Sequence, residues 1–123
     1  GEPVELTPGD QVRDFVYVED AAEAFIAAAL SSNIRPGSVY NVCSGRPLTV
    51  RAMAEAVAKA MDRPKELLAF GALPHRGDEG RWMVGDGKRF AEAADWRPAV
   101  SLEEGIGRTV AAAAKDGADT KDR

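Results

Sequence analysis

Cys43 is the only cysteine and His75 the only histidine in the 123 residues of this chain. One thiol closes no intramolecular disulfide and builds no cysteine cage around a metal. His75 sits beside Pro74 with no second histidine or cysteine near it, so neither a metal site nor acid/base work is expected of it. No apolar run approaches the roughly 20 residues that span a bilayer, and no charged-then-apolar leader opens the chain. Basic residues are not in excess: 16 Lys and Arg stand against 20 Asp and Glu, which excludes the basic stripe of a nucleic-acid binder. Aromatics make up 7% of the chain, and the two tryptophans, Trp82 and Trp96, are expected as core anchors. The expectation is a soluble, cytoplasmic protein with neither membrane nor nucleic acid as partner.

What the sequence does hold is an alternation of strand-like and helix-like stretches, which argues α/β. Its length suits one domain or part of one, since single domains cluster at roughly 100–150 residues. A strand is predicted over about 12–18, rich in Phe15, Val16, Tyr17 and Val18. A helix over about 20–31 follows, with Asp20 and Glu23 at the D-x-x-E spacing of a cap and Ala21, Ala24, Phe25, Ala28 and Ala29 or Leu30 facing inward. It should end near Ser31-Ser32-Asn33, before Pro36-Gly37. Ser38 to Cys43 reads as a short, largely buried strand closed by Ser44-Gly45. Thr49 caps a second helix whose Val50, Met53, Ala54, Val57 and Met61 form one apolar stripe. Glu66 to Phe70 is a brief strand, 71–81 a loop, and Trp82-Met83-Val84 another strand. Asp86 caps a third helix over about 87–95. The last helix opens on Ser101-Leu102-Glu103-Glu104, a capping box, and buries Leu102, Ile106, Val110 and Ala113. A polar tail, 116–123, follows a body over 1–115.

Chemistry concentrates first at Gln11-Val12-Arg13-Asp14-Phe15-Val16-Tyr17-Val18-Glu19-Asp20. Arg13 is a permanently charged planar fork of donors that suits a pair of phosphate oxygens; the plainer alternative is a surface arginine at a strand edge. The segment resembles the R-D-[FY]-[IV]-x-V-x-D stretch of the extended short-chain dehydrogenases/reductases, the NAD-dependent epimerases, dehydratases and reductases of nucleotide sugars. The resemblance continues in order. Gly37-Ser38-Val39-Tyr40-Asn41-Val42-Cys43-Ser44-Gly45 is similar to the family's G-x-x-[YF]-N-[VIL]-x-[ST]-G. Arg76-Gly77-Asp78-Glu79 resembles its R-P-x-E turn, with Gly77 in place of proline, and Gly85-Asp86 with Lys88 and Arg89 its [GA]-D-x-[ST]-[KR] element. Trp96-Arg97-Pro98 with Ser101 to Ile106 resembles its G-W-x-P-x-x-x-L-x-E-G-[IL] close, with Asp95 where glycine is usual. Single pieces are weak, but five in order, over about 7–112, point to the family far better than to a branch of it.

The resemblance implies the C-terminal part of a Rossmann-like extended enzyme, with a small mixed α/β region that binds substrate. It assigns Arg13 and Arg76 to one nucleotide diphosphate, converging in space, and Glu79 to a ribose or sugar hydroxyl. Arg81, a near neighbour, could do the work of Arg76, and both could equally be solvated loop residues. The family's glycine-rich dinucleotide fingerprint is absent. So is its Tyr-x-x-x-Lys pair, because Tyr17 is followed four residues on by Ala21 and Tyr40 by Ser44. The resemblance implies a parent enzyme that uses NAD or NADP and pairs as a homodimer. The 123 residues alone should bind no cofactor, catalyse nothing, and expose apolar surface at Val39, Val42 and the Val50–Met61 stripe. The wording around Asn41 and Arg76 leans towards GDP-mannose 4,6-dehydratase or GDP-4-keto-6-deoxymannose reductase. The alternative is a non-catalytic relative that kept the sheet, binds a nucleotide or regulates, and lost the chemistry.

Overall fold

A computed structural model describes residues 1–119. The chain divides into two compact units. One comprises Gly1–Gln11, Thr49–Arg81 and the segment from Glu103, and the other Val12–Leu48 with Trp82–Leu102.

In the first unit β1 (Val4–Leu6) and β4 (Leu68–Phe70) pair in parallel, Val4 opposite Leu68 and Leu6 opposite Phe70. The helix α2 (Val50–Ala60) lies between them in sequence and starts where predicted: Thr49 Oγ1 accepts from the Ala52 amide at 3.1 Å, satisfying a donor that no helical carbonyl can reach. The start of α2 is tied to the strand pair. The Arg51 guanidinium stacks 3.9 Å over the Phe70 ring and donates to the Pro8 carbonyl at 2.8 Å. Gly9 makes this approach possible. Its φ is +76°, and a Cβ there would lie 3.0 Å from the backbone nitrogen of Arg51, so only glycine is tolerated without strain. Beyond β4 the amides of Gly71 and Leu73 both donate to the Leu6 carbonyl at 3.0 Å, steering the chain into its long loop. The helix α4 (Leu102–Asp119) buries Gly105 and Ile106. Of the polar tail expected over 116–123, Asp116 to Asp119 is helical, and 120–123 lies outside the described residues.

In the second unit β2 (Val12–Arg13) pairs in parallel with β5 (Trp82–Met83). The chain passes between the units at β3 (Leu48–Thr49). The core of this unit is Ala24 of α1 (Val18–Leu30), Phe90 of α3 (Lys88–Ala94) and Trp96, with Val16, Ile34 and Tyr40 packed around them. Phe90 lies 5.5 Å from the Trp96 ring and 5.9 Å from that of Tyr40, both tilted, the offset geometry that aromatic quadrupoles favour. Trp96 is the anchor the sequence suggested. Trp82 is not, being 66% exposed on β5.

Other expectations need correction here. The strand expected over 12–18 keeps only Val12 and Arg13 in a ladder, and α1 begins two residues early, with Tyr17 at its N-cap and no side-chain cap. Asp20 is not the cap. It lies in the first turn, 2% exposed, and its two oxygens accept from the amides of Ala99 (3.0 Å) and Val100 (2.9 Å). The capping spacing was real but was put to use across 79 residues of chain. Phe25, expected inward, is 76% exposed, and of the alternatives Ala29 and Leu30 neither is buried, Leu30 being 81% exposed, because the buried face of α1 narrows to Ala24 flanked by Ala27 and Ala28. Ser38 to Cys43 forms no strand; Asn41 donates instead to the Asp86 carbonyl at 3.3 Å. Asp86 stands one residue outside the cap position of α3, held by Gly87, and accepts from the Lys88 amide at 2.9 Å.

Candidate functional site

The long loop after β4 returns in the first unit to the residues that follow β1. Asp10 holds it there with both oxygens: Oδ1 lies 2.8 Å from His75 Nε2, and Oδ2 lies 2.7 Å from Arg81 Nη1. Gln11, 5% exposed, donates from Nε2 to Thr7 Oγ1 at 3.3 Å and to Glu79 Oε1 at 3.5 Å. Because a carboxylate only accepts, the Glu79 contact fixes which end of the Gln11 amide faces it. Gln11 Oε1 is then buried with no hydrogen-bond partner among the described residues. The Glu79 amide closes a turn on the Arg76 carbonyl at 3.2 Å. Together Gln11, His75, Arg76, Gly77, Glu79 and Arg81 line a cavity of about 160 Å³.

Two of the three residues singled out in the sequence, Arg76 and Glu79, are thus brought to one cavity. Arg76 makes no side-chain hydrogen bond or ion pair among the described residues, whereas Arg81 is held by Asp10. Asp10 and Gln11 went unnoticed in the sequence. They sit directly before Val12-Arg13-Asp14, and nothing in their spacing signals a loop that comes back from 65 residues away. His75 has a place after all, as a hydrogen-bond partner of Asp10; no cluster of three or more potential metal ligands occurs among the described residues.

Arg13, the third residue, belongs to the second unit. It ends β2 half-buried, with Nη1 donating to the Val12 carbonyl at 2.9 Å. Its neighbour Asp14 does more structural work than the sequence suggested. One oxygen accepts from the Ser44 amide (2.8 Å) and hydroxyl (2.6 Å), the other from the amides of Gly45 (2.8 Å) and Gly85 (3.2 Å). Burial alone would push the Asp14 carboxyl up. The Ser44 hydroxyl and the three amides outweigh it and hold the group below its ordinary value near 3.8. The Ser44 hydroxyl donates to Asp14 and accepts from the Arg46 amide, so it closes a turn and is no nucleophile. Burial, and then the charge of Asp14, push the Cys43 thiol up, away from the reactive thiolate.

Dinucleotide cofactors need a glycine turn that lets backbone amides approach a pyrophosphate. Gly85-Asp86-Gly87 stands between β5 and α3, but a Cβ at Gly85 would meet Cys43 Sγ at 2.7 Å and Asp86 adds a carboxylate. That turn is filled from within and carries the wrong charge, so it does not fit a pyrophosphate. The cavity of the first unit, by contrast, sets the cationic Arg76 beside the carboxylate of Glu79 and the amide of Gln11.

The family model described as "NAD dependent epimerase/dehydratase family" matches residues 1–43. The chain is 34% identical over 102 residues to UDP-glucose 4-epimerase of Mycolicibacterium smegmatis, covering 83% of this chain and 31% of that protein. It is 29% identical over 97 residues to GDP-6-deoxy-D-mannose reductase of Pseudomonas aeruginosa, covering 79% and 31%. It superposes on the crystal structure of UDP-glucose 4-epimerase of Thermotoga maritima with UDP-glucose at a TM-score of 0.83 and 31% identity, covering 94% of this chain and 36% of that one. The chain spans about a third of the length of the curated relatives it matches.

Proposed function

We propose, for a chain that belongs to the NAD dependent epimerase/dehydratase family and has the α/β, Rossmann-like fold of the extended short-chain dehydrogenases/reductases, that it is the C-terminal, substrate-binding portion of a nucleotide-sugar enzyme. The parent, a cytoplasmic homodimer in this proposal, would hold NAD or NADP elsewhere and oxidise or reduce a sugar carbon. The residues described here would bind and orient the sugar nucleotide. Arg76 and Arg13 each meet phosphate oxygens, and Glu79 accepts from a ribose or sugar hydroxyl. The observation that carries the reading is the cavity of the first unit, where Arg76, without a side-chain partner among the described residues, and the carboxylate of Glu79 share a wall with Gln11. A cation for phosphate, an acceptor for hydroxyls and a buried carbonyl lacking a donor are the complement of a sugar phosphate. Each hydrogen bond between a charged group and the ligand contributes about 1.5–3 kcal/mol.

The GDP-linked deoxymannose branch is the finer part of the proposal, supported by the wording around Asn41 and Arg76 and by the P. aeruginosa relative. The M. smegmatis relative makes a UDP-sugar the competing ligand. The test is calorimetric titration of the chain with GDP-mannose and UDP-glucose. The reading expects one of them to bind and Arg76→Ala and Arg13→Ala each to weaken it at least tenfold, with lysine restoring only part, since a point charge does not replace a fork. Unchanged affinity in Arg76→Ala would refute the reading of the cavity; in Arg13→Ala it would return that residue to a structural role. In the parent enzyme the same changes should raise KM far more than they lower kcat.

A further inference from the structure

The cavity holds more hydrogen-bond donors suited to a phosphate than it offers. Arg81 and His75 both end on Asp10, one on each carboxylate oxygen, at 2.7 and 2.8 Å. Arg76, a few residues away in the same loop, has no such partner among the described residues. We infer that Asp10 is a specificity-determining residue that withholds Arg81 and His75 from the ligand's phosphates and so limits the negative charge the cavity accepts. The inference rests on the reading of the cavity as a phosphate-binding site.

The charge balance supports it. Arg76, Arg81 and Glu79 line the cavity and Asp10 pairs with Arg81, so with His75 counted as neutral two cations stand against two carboxylates. A ligand with few negative charges is accommodated by Arg76 alone. One with an extra ionised phosphate oxygen gains Arg81 only by breaking its pair with Asp10. The site is a built one, because Gln11 beside Asp10 is 5% exposed, bonded to Glu79, and left with an unsatisfied Oε1. Asp10 itself is about half exposed, so it can be displaced or substituted without opening a core.

The experiment is an NMR titration of the 123-residue chain with inorganic pyrophosphate and, separately, with orthophosphate. Such exposed pairs contribute up to about 1 kcal/mol, so Asp10→Asn should bind pyrophosphate about two- to fivefold more tightly, with a smaller gain for orthophosphate. Arg81→Ala should change affinity by less than about twofold in the parent chain, on the same scale, yet remove the whole gain in the Asp10→Asn background. Asp10→Asn that binds no better than the parent overturns the inference, as does Arg81→Ala that costs as much as Arg76→Ala in the parent chain. The phosphate-site reading fails separately, if Arg76→Ala binds pyrophosphate as well as the parent.

Discussion

Each unit of the molecule contains a carboxylate that ties distant chain segments together, and the two do so in different ways. Asp14 in the second unit accepts four hydrogen bonds, three of them from backbone amides, and joins the end of β2 to Ser44, Gly45 and Gly85. Asp10 in the first unit holds two side chains, Arg81 and His75, and stands half in solvent. Amides cannot move without the chain, and once sheltered they have no other acceptor, so Asp14 fixes a backbone. Side chains can swing to water, so Asp10 sets only where two charges point. Order in one unit is set in the backbone; in the other it rests on side chains and is open to a ligand.

The strongest way to break that contrast is to remove each carboxylate. Asp14→Ala leaves three amides and a hydroxyl without their acceptor and should cost about 2–4 kcal/mol by urea unfolding. Asp14→Asn should recover only part of this, since its amide nitrogen faces donors on one side. A loss under 0.5 kcal/mol on that scale would mean that water replaces the carboxylate freely. The same group gives a pH signature. Its folded pKa lies below its unfolded value near 3.8, so its contribution is full above the unfolded value and is lost as pH falls through the folded one. Acid unfolding of the parent should steepen below about pH 4, and Asp14→Asn should flatten that limb. An unaltered limb would place the acid-labile charge elsewhere.

Asp20 comes next. Buried and bonded to two amides, it should cost about 1.5–3 kcal/mol as Ala, and Asn should also be costly because one of its two ends opposes an N–H. A helix cap would tolerate Asn, so near-neutral Asp20→Asn would restore the capping role the sequence suggested. The smallest effect is expected at Asp10, where Ala should cost at most about 1 kcal/mol. If it matched Asp14→Ala, exposure would not be what separates the two carboxylates.

The sequence made the helices legible, and Thr49 and Trp96 took the roles their surroundings suggested, because caps and apolar periodicity are local. It made Arg76 and Glu79 legible as a pair because they share one turn. Asp10, Gln11 and Asp14 were hidden for the opposite reason: apart from Thr7 beside Gln11, their partners lie 30 to 71 residues away, and no local spacing encodes that. Asp20 shows the cost of trusting a local pattern, since D-x-x-E described a cap and the fold used the carboxylate to hold Ala99 and Val100. The strand expected at Ser38 to Cys43 failed similarly, its β-forming residues finding no ladder.

Cys43 gives the second unit a built-in clock. Its sulfur lies against Gly85, where not even a methyl group would fit, and the nearby carboxylate disfavours the thiolate that reagents attack. Cys43 is partly exposed in the native fold, so its alkylation is slowed there rather than blocked, and a rise in labelling rate under mild denaturant reads the loosening of this segment. With one sulfhydryl in the whole chain, every modified molecule reports the same event, at one address, without any engineered probe.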